Sequence, residues 1–439
     1  MARPSPCSRG DYLRPFQRHE VRRTDVEPAN CGTYELELHA RLLTKLPIKK
    51  PELRVLQVFT ALGIGGAETW LLALLKHFKE HQGDLPVRLK IDVCLTGGYK
   101  AALDNEAVAL GARLFYLPYT RKKLPSFVRG FRRILRRGRY HAIHDHQDYT
   151  TGMHFLFGLG YLPPVRVVHV HNPLLHIDNY SSSPLRRATL VAGRNLLARL
   201  ATHIMGTSRQ ILSEYEFNTA QFRHIPLDAA HCGFDVTRFR GDHRRVHAEL
   251  CQEFGWNETA KIMLFVGRLG TRQKNPMVAL KIARECIARN PDIRLLMAGA
   301  GDTEKAEFER LVRSWGLENE IRLLGVRDDV PRLMQGSDLL LLPSLAEGLG
   351  MVAVEAQAAG LPVLASDTVP RECVVLPDLV KFLPLNMGAA VWADHALQIL
   401  ELPWPDAAAC NLAVRNSAFS IENSAAQLLK LYSSGTVPV

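Results

Sequence analysis

The sequence predicts an α/β protein built from two doubly wound parallel-sheet domains. Three observations lead there. The 439 residues suggest two domains, each large enough for its own core. Short apolar runs alternate with helical stretches along most of the chain, the pattern of strand–helix–strand units. The pattern also restarts near residue 261, after a passage at 225–239. On this reading 1–50 is a basic, poorly ordered extension. Residues 51–234 are the first domain and 235–415 the second. Residues 416–439 are a C-terminal helix and tail that pack back on the first domain.

Composition narrows the class. A hydrophobic fraction of 47% and a charged fraction of 23% are ordinary for a globular chain. A formal charge of +11 suggests a polyanionic partner: nucleic acid, an anionic membrane face or a phosphorylated substrate. The eight cysteines are scattered, with no C-x-x-C and no Cys/His spacing of the zinc type. Reduced thiols and a cytoplasmic location follow as expectations. The N-terminus lacks the apolar core of a signal peptide, and no apolar run is long enough for a bilayer.

In chain order, residues 1–50 are polar and basic, with one short helix expected near 35–46. The first strand is 54–59. Gly63-Ile64-Gly65-Gly66-Ala67-Glu68 follows, then an apolar helix at 70–78. The glycine spacing is not G-x-G-x-x-G, which argues against a nicotinamide oxidoreductase. The loop serves either a plain turn or a ligand. Further strands are expected at 90–95, 112–117, 141–145, 165–170 and 203–207.

Two features interrupt the alternation. From Arg121 to Arg139 run nine cations (Arg121, Lys122, Lys123, Arg129, Arg132, Arg133, Arg136, Arg137, Arg139) with no acidic residue, and Phe127, Phe131, Ile134 and Leu135 recur at helical spacing. The apolar stripe reads as core. The uncompensated cations suit an anionic membrane surface. Nucleic acid would satisfy the charge too, but no nucleic-acid motif or stacking platform accompanies it. The second feature is a pair of histidine clusters at strand ends, His144-Asp145-His146 and His169-Val170-His171. Ligands of open α/β sheets bind at such ends.

The second domain opens with a strand at 261–267, the loop Arg268 to Pro276, and a helix at 277–289. Strands at 293–298 and 321–324 flank a helix reaching 311, and Gly325-Val326 follows the second of them. Then comes Asp338-Leu339-Leu340-Leu341-Leu342, a buried parallel strand. It leads through Pro343-Ser344-Leu345-Ala346-Glu347-Gly348-Leu349-Gly350 into an Ala/Val-rich helix that stops at Gly360-Leu361-Pro362. Strand, glycine loop and helix N-terminus point amides at an anion. Glu347 lies in the loop and Glu355 about two turns into the helix. Eight helical residues would span roughly 12 Å, so the two carboxylates are expected to hold two ends of an extended ligand. The last helix, 423–432, offers Ala426, Leu428, Leu429 and Leu431 for packing.

Together, Glu347-x7-Glu355, Gly267-Arg268…Lys274-Asn275 and Gly65-Gly66-Ala67-Glu68 resemble glycosyltransferase family four, of retaining chemistry and GT-B fold. Ile143-His144-Asp145-His146, Val168-His169-Val170-His171-Asn172 and Ser366-Asp367-Thr368-Val369-Pro370-Arg371-Glu372 are similar to its bacterial exopolysaccharide branch. The likeness covers about 54–432. It implies two Rossmann-like domains facing across a cleft, the second binding a nucleotide sugar, with uracil the commonest base, and the first binding a glycan or lipid-linked acceptor.

By the same resemblance, Arg268 and Lys274 would clamp the donor diphosphate and stabilise its growing charge. Glu355 would accept from ribose hydroxyls, and Glu347 would contact the sugar. The amides of Leu349, Gly350 and Met351 would face phosphate, and Val326 the base. His171 would position the sugar. Gly65 and Gly66 would permit close approach of the first domain. No metal, cofactor or protein nucleophile is implied, in keeping with the lack of an Asp-x-Asp motif at a matching strand end. The expected setting is cell-surface or exopolysaccharide synthesis at the inner membrane face. The alternative is a non-catalytic GT-B subunit that binds nucleotide sugar or partners. His231-Cys232-Gly233 stands where the family has Asn-Gly, and Arg272 adds a cation to the phosphate loop.

Overall fold

The computed structural model describes residues 50–174, 184–270 and 272–434. The helix expected near 35–46 lies outside them. From Pro51 to the last described residue the chain is one compact unit holding two parallel sheets.

The first sheet contains β1 (Glu52–Phe59), β2 (Arg88–Leu95), β3 (Arg113–Tyr116), β4 (Ala142–Asp145), β5 (Val165–Val170), β6 (His203–Gly206) and β7 (Leu227–Ala229). Their order is β3-β2-β1-β4-β5-β6-β7. The second contains β8 (Lys261–Val266), β9 (Ile293–Ala298), β10 (Ile321–Gly325), β11 (Leu339–Leu342), β12 (Val363–Ser366) and β13 (Val380–Leu383), ordered β10-β9-β8-β11-β12-β13. In both sheets the strand order reverses beside the first strand of the domain. That switch point leaves a crevice at the carboxyl ends. The central strands β4 and β11 are buried along their whole length, as a strand covered on both faces must be.

Strands β7, β12 and β13 carry no clear signal in the sequence. β7 lies inside the expected interdomain passage. It has three residues, none fully buried, so no apolar run marks it. β12 is four residues long, shorter than a window in which period can be read.

Six helices matter for the site. Three belong to the first sheet: α1 (Gly66–Glu80), α2 (Leu124–Gly138) and α3 (Arg209–Glu214). α1 buries Trp70, Leu71, Leu74, Leu75 and Phe78, positions spaced to face one side of a helix. α2 buries Phe127, Phe131 and Leu135, so the apolar stripe in the basic stretch is core. All nine cations of that stretch are exposed. Two helices belong to the second sheet: α4 (Pro276–Arg289) and α5 (Met351–Ala358). α5 is apolar nearly all round and buried on nearly all sides.

The last helix, α6 (Ile421–Ser433), follows the second domain in sequence but packs into the first. Ile421, Ala425, Leu428 and Tyr432 join the core made by β1, β2 and α1. Leu428 is buried and Leu429 and Leu431 pack against the core as expected, but Ala425 is inside in place of Ala426, which is exposed. Trp70 of α1 fixes the register, donating from Nε1 to Ser424 Oγ at 2.9 Å. Where the chain passes between domains, the Phe234 amide donates to the Phe419 carbonyl at 3.0 Å, and the Ile421 amide to the Phe234 carbonyl at 3.1 Å. Met351, the first residue of α5, packs against the cores of both domains.

Candidate active site

The cleft is organised by the loop between β11 and α5. Ser344 heads it. Its carbonyl accepts hydrogen bonds from Ser366 Oγ at 2.5 Å and Thr368 Oγ1 at 2.7 Å. Its own hydroxyl donates to Glu347 Oε1 at 2.6 Å. Glu347 is only 5% exposed. Both of its oxygens receive Lys274, at 2.7 and 2.9 Å. Lys274 comes from the loop between β8 and α4. That loop is tied to the first by the Leu345 amide donating to the Gln273 carbonyl at 2.7 Å.

The two side chains face each other. A buried carboxylate needs a counter-charge, and Lys274 supplies it. The charge of Lys274 also reaches Glu355. Burial pushes the Glu355 carboxyl up to about 7, while Arg238 and Lys274 pull in the other direction. The separation of the two glutamates is not a straight run of helix. α5 begins only at Met351, so Glu355 sits one turn in rather than two.

Gly350 caps α5 at φ 86°, in the left-handed region, and no side chain caps the helix. A side chain there would be strained. Leu349 is buried, Met351 half-buried. The first amides of α5 keep the anion-seeking character of an uncapped helix N-terminus. α1 is likewise uncapped by any side chain, with Gly65 just before it and Gly66 its first residue. A Cβ at Gly66 would meet nothing within 4 Å, so protein packing does not require glycine there. Arg268 is exposed after β8, and Val326 is exposed after β10.

The two domains close on one another at Gly348. A Cβ at this position would lie 2.0 Å from the His171 carbonyl oxygen and 3.0 Å from Thr207 Oγ1. The Gly348 carbonyl accepts from Ser208 Oγ, just before α3, at 2.6 Å. One residue on, the Arg209 amide donates to Glu372 Oε1 at 2.8 Å. His171 therefore touches the loop through its backbone. Its ring turns inward: Nε2 shares a proton with His146 Nδ1 at 2.8 Å, and Nδ1 meets Cys232 Sγ at 3.7 Å. Burial pushes this imidazole down to about 3, so it is neutral at physiological pH.

Sequence reasoning assigned no role to Glu68, Arg238, Ser208 or Glu372. Burial raises Glu68; its own backbone and the Arg268 guanidinium of the opposite domain draw it back. Glu68 stood in the quoted motif, but only the fold sets it near Arg268. Two groups among the described residues have ring nitrogens and carboxylates close enough to hold a metal ion: His144, His146 and His169, and His243, His247 and Asp338. In the second, His243 Nδ1 and His247 Nδ1 face the Gln335 and Gly336 carbonyls at 2.9 Å, capping the end of helix Val330–Gly336.

Comparisons with known proteins bear on these features. Residues 65–225 match the family model "Glycosyl transferase 4-like domain", and residues 247–414 match "Glycosyl transferases group 1". A D-inositol 3-phosphate glycosyltransferase of Corynebacterium urealyticum is 32% identical over 308 residues, covering 67% of this chain and 72% of that protein. The chain belongs to glycosyltransferase family four. This family-four enzyme is also 27% identical over 388 residues to the putative glycosyltransferase EpsF of Bacillus subtilis, covering 87% of the chain and 97% of EpsF. Its fold is that of solved GT-B proteins. Anabaena Alr3699/HepE matches with TM-score 0.68 and 17% identity over 87% of this chain and all of that one. WaaG, a glycosyltransferase involved in lipopolysaccharide biosynthesis, matches with TM-score 0.60 and 15% identity over 87% of this chain and 97% of WaaG. The family-four glycosyltransferase thus has two Rossmann-like domains, with the loops of Lys274 and Glu347 at strand ends of the second.

Proposed function

We propose that the chain transfers a sugar, with retention, from a uridine diphosphate donor to a glycan or lipid-linked acceptor in cell-surface or exopolysaccharide synthesis. The observation that carries this is the gathering of Lys274, Glu347, Glu355 and the uncapped N-terminus of α5 on the second domain, opposite Glu68 and His171 on the first. The solved HepE structures contain UDP, UDP with glucose, and UDP-glucose, which supports the base. The likeness to EpsF supports the setting.

In this mechanism Arg268 and Lys274 take the donor diphosphate, with the first amides of α5 at its oxygens. Lys274 then trades one contact with Glu347 for phosphate, and the released carboxylate oxygen accepts from a sugar hydroxyl. Glu355 accepts from the ribose. As the sugar–oxygen bond breaks, charge grows on the departing diphosphate. Fixed cations stabilise that state more than the ground state. The acceptor hydroxyl attacks from the same face, and the diphosphate oxygen takes its proton. The cation set supplies the charge a metal would otherwise supply. The long Cys232 contact leaves His171 Nδ1 able to exchange partners for a sugar hydroxyl.

The exposed cations of 121–139 would hold the acceptor side against anionic lipid. Leu159 and Tyr161, 40% and 42% exposed, stand beside them, with the Arg132 guanidinium 6.0 Å from the Tyr161 ring. Among the described residues no helix is long and apolar enough to cross a membrane, so this contact would be peripheral.

The test is a panel of radiolabelled nucleotide sugars incubated with membrane extract. Labelled glycolipid and free UDP are expected from one donor. Neither transfer nor hydrolysis with any common donor would overturn the reading. Nucleotide binding without turnover would instead indicate a non-catalytic subunit.

A further inference from the structure

Behind the cleft, six side chains form one unbroken run of hydrogen bonds. His171 Nε2 and His146 Nδ1 lie 2.8 Å apart. His146 Nε2 lies 2.8 Å from Gln57 Oε1. Gln57 Nε2 donates to the Tyr432 hydroxyl at 2.9 Å. That hydroxyl lies 2.7 Å from His144 Nδ1, and His144 Nε2 lies 3.2 Å from His169 Nδ1. The rings lie close together, His144 and His146 stacked with centroids 4.3 Å apart and His169 and His171 tilted with centroids 4.0 Å apart. Trp70 stands edge-on to three of them.

Such a run can point in only one direction at a time. A primary amide has an acceptor end and a donor end. With Gln57 Oε1 on His146, the proton of that ring must sit on Nε2. Its Nδ1 must then accept, so His171 donates from Nε2 and keeps a lone pair on Nδ1. On the other branch the Tyr432 oxygen accepts from Gln57, so its proton goes to His144 Nδ1. His144 then donates from Nε2 to His169. This leaves the last proton on His169 Nε2, an atom without a hydrogen-bond partner. Burial drives all four imidazoles down, so each is neutral and each has a single tautomer to choose. Rotating the Gln57 amide by half a turn would reverse every link.

We propose that Gln57 and Tyr432 are positioning residues that, acting through His146, hold His171 as its Nε2–H tautomer, so that Nδ1 meets the donor sugar as an acceptor. The Tyr432 hydroxyl accepts a hydrogen bond from Gln57 Nε2, which leaves Gln57 Oε1 to accept from His146 and sets the tautomer passed on to His171. Tyr432 comes from α6, so docking of the last helix sets the protonation pattern beneath the cleft. The inference rests on the reading that His171 touches the sugar.

The test uses the full-length protein labelled with 15N-histidine, in wild type, Tyr432→Phe and Gln57→Leu. The first change removes one oxygen and the second keeps the side-chain volume. Wild-type His171 should show one tautomer, protonated at Nε2. Both variants should show a mixture. Their kcat should fall roughly threefold to tenfold, the worth of one hydrogen bond, with donor KM changed less than about twofold. A packing role would leave the tautomer alone. An unchanged His171 tautomer in both variants, or a wild-type ring protonated at Nδ1, would overturn the proposal. So would a stoichiometric metal ion on His144, His146 and His169 in the purified protein. If the tautomer shifts as expected but His171→Ala keeps full activity, the positioning device stands and the contact of His171 with sugar fails.

Discussion

Lys274 Nζ sits between the two oxygens of Glu347, at 2.7 and 2.9 Å. The pair keeps a buried carboxylate compensated until ligand arrives. It also makes the two residues energetically inseparable. Lys274→Ala should cut donor turnover about a hundredfold or more. It should also destabilise the fold by about 3–5 kcal/mol, because Glu347 is left buried and unpaired. The double variant Lys274→Ala/Glu347→Gln should be more stable than Lys274→Ala alone. Urea denaturation of the four proteins in the cycle measures the coupling.

Gly348 is a point of close approach between the domains. Gly348→Ala should fold normally, since the loop is otherwise intact, but should not close. A Cβ has no room against the His171 carbonyl, 2.0 Å away. kcat/KM should fall more than about tenfold, and small-angle scattering should report a larger radius than wild type. Wild-type activity in this variant would show that the contact is dispensable.

Glu355 gives the enzyme a pH dependence. Its carboxyl is pushed up to about 7 from 4.5 by burial. The folded state therefore holds a proton that the unfolded chain releases. Without ligand, this residue favours the fold at acidic pH, and that contribution is lost as pH rises from 4.5 through 7. Donor binding runs the other way, because ribose hydroxyls donate best to the ionised carboxylate. Donor affinity should rise between pH 6 and 8 by calorimetry, and Glu355→Gln should flatten the rise.

Charge reversal at Arg133, Arg136 and Arg137 should weaken sedimentation with anionic vesicles and leave turnover of short soluble acceptors intact. Arg132 is not part of this surface in the same way. It donates to the Phe157 and Leu159 carbonyls at 3.0 Å, so its loss should cost stability as well. A triple variant that sediments like wild type would count against the membrane contact.

Much of this was legible in the chain. Ten of the thirteen described strands lie where apolar runs announce them, and the loop Ser344 to Gly350 stands out by its glycines between a Leu-rich strand and an Ala-rich helix. The short edge strands β7 and β13 were not legible, because partial exposure erases the apolar run. Nor was the choice between two alanines of α6. Both Ala425 and Ala426 suit a helix, and only contact with Trp70 and Ser424 chooses between them.

By itself the sequence determined the two-sheet architecture, the family, and which loops carry the cations and carboxylates. Those follow from local periodicity and from motifs a few residues long. Tertiary structure alone decided the pairings: Lys274 with Glu347, and Tyr432 with Gln57, 375 residues away. Such pairings depend on how buried charges and polar groups find partners when water is excluded, and partners distant in sequence leave no local pattern.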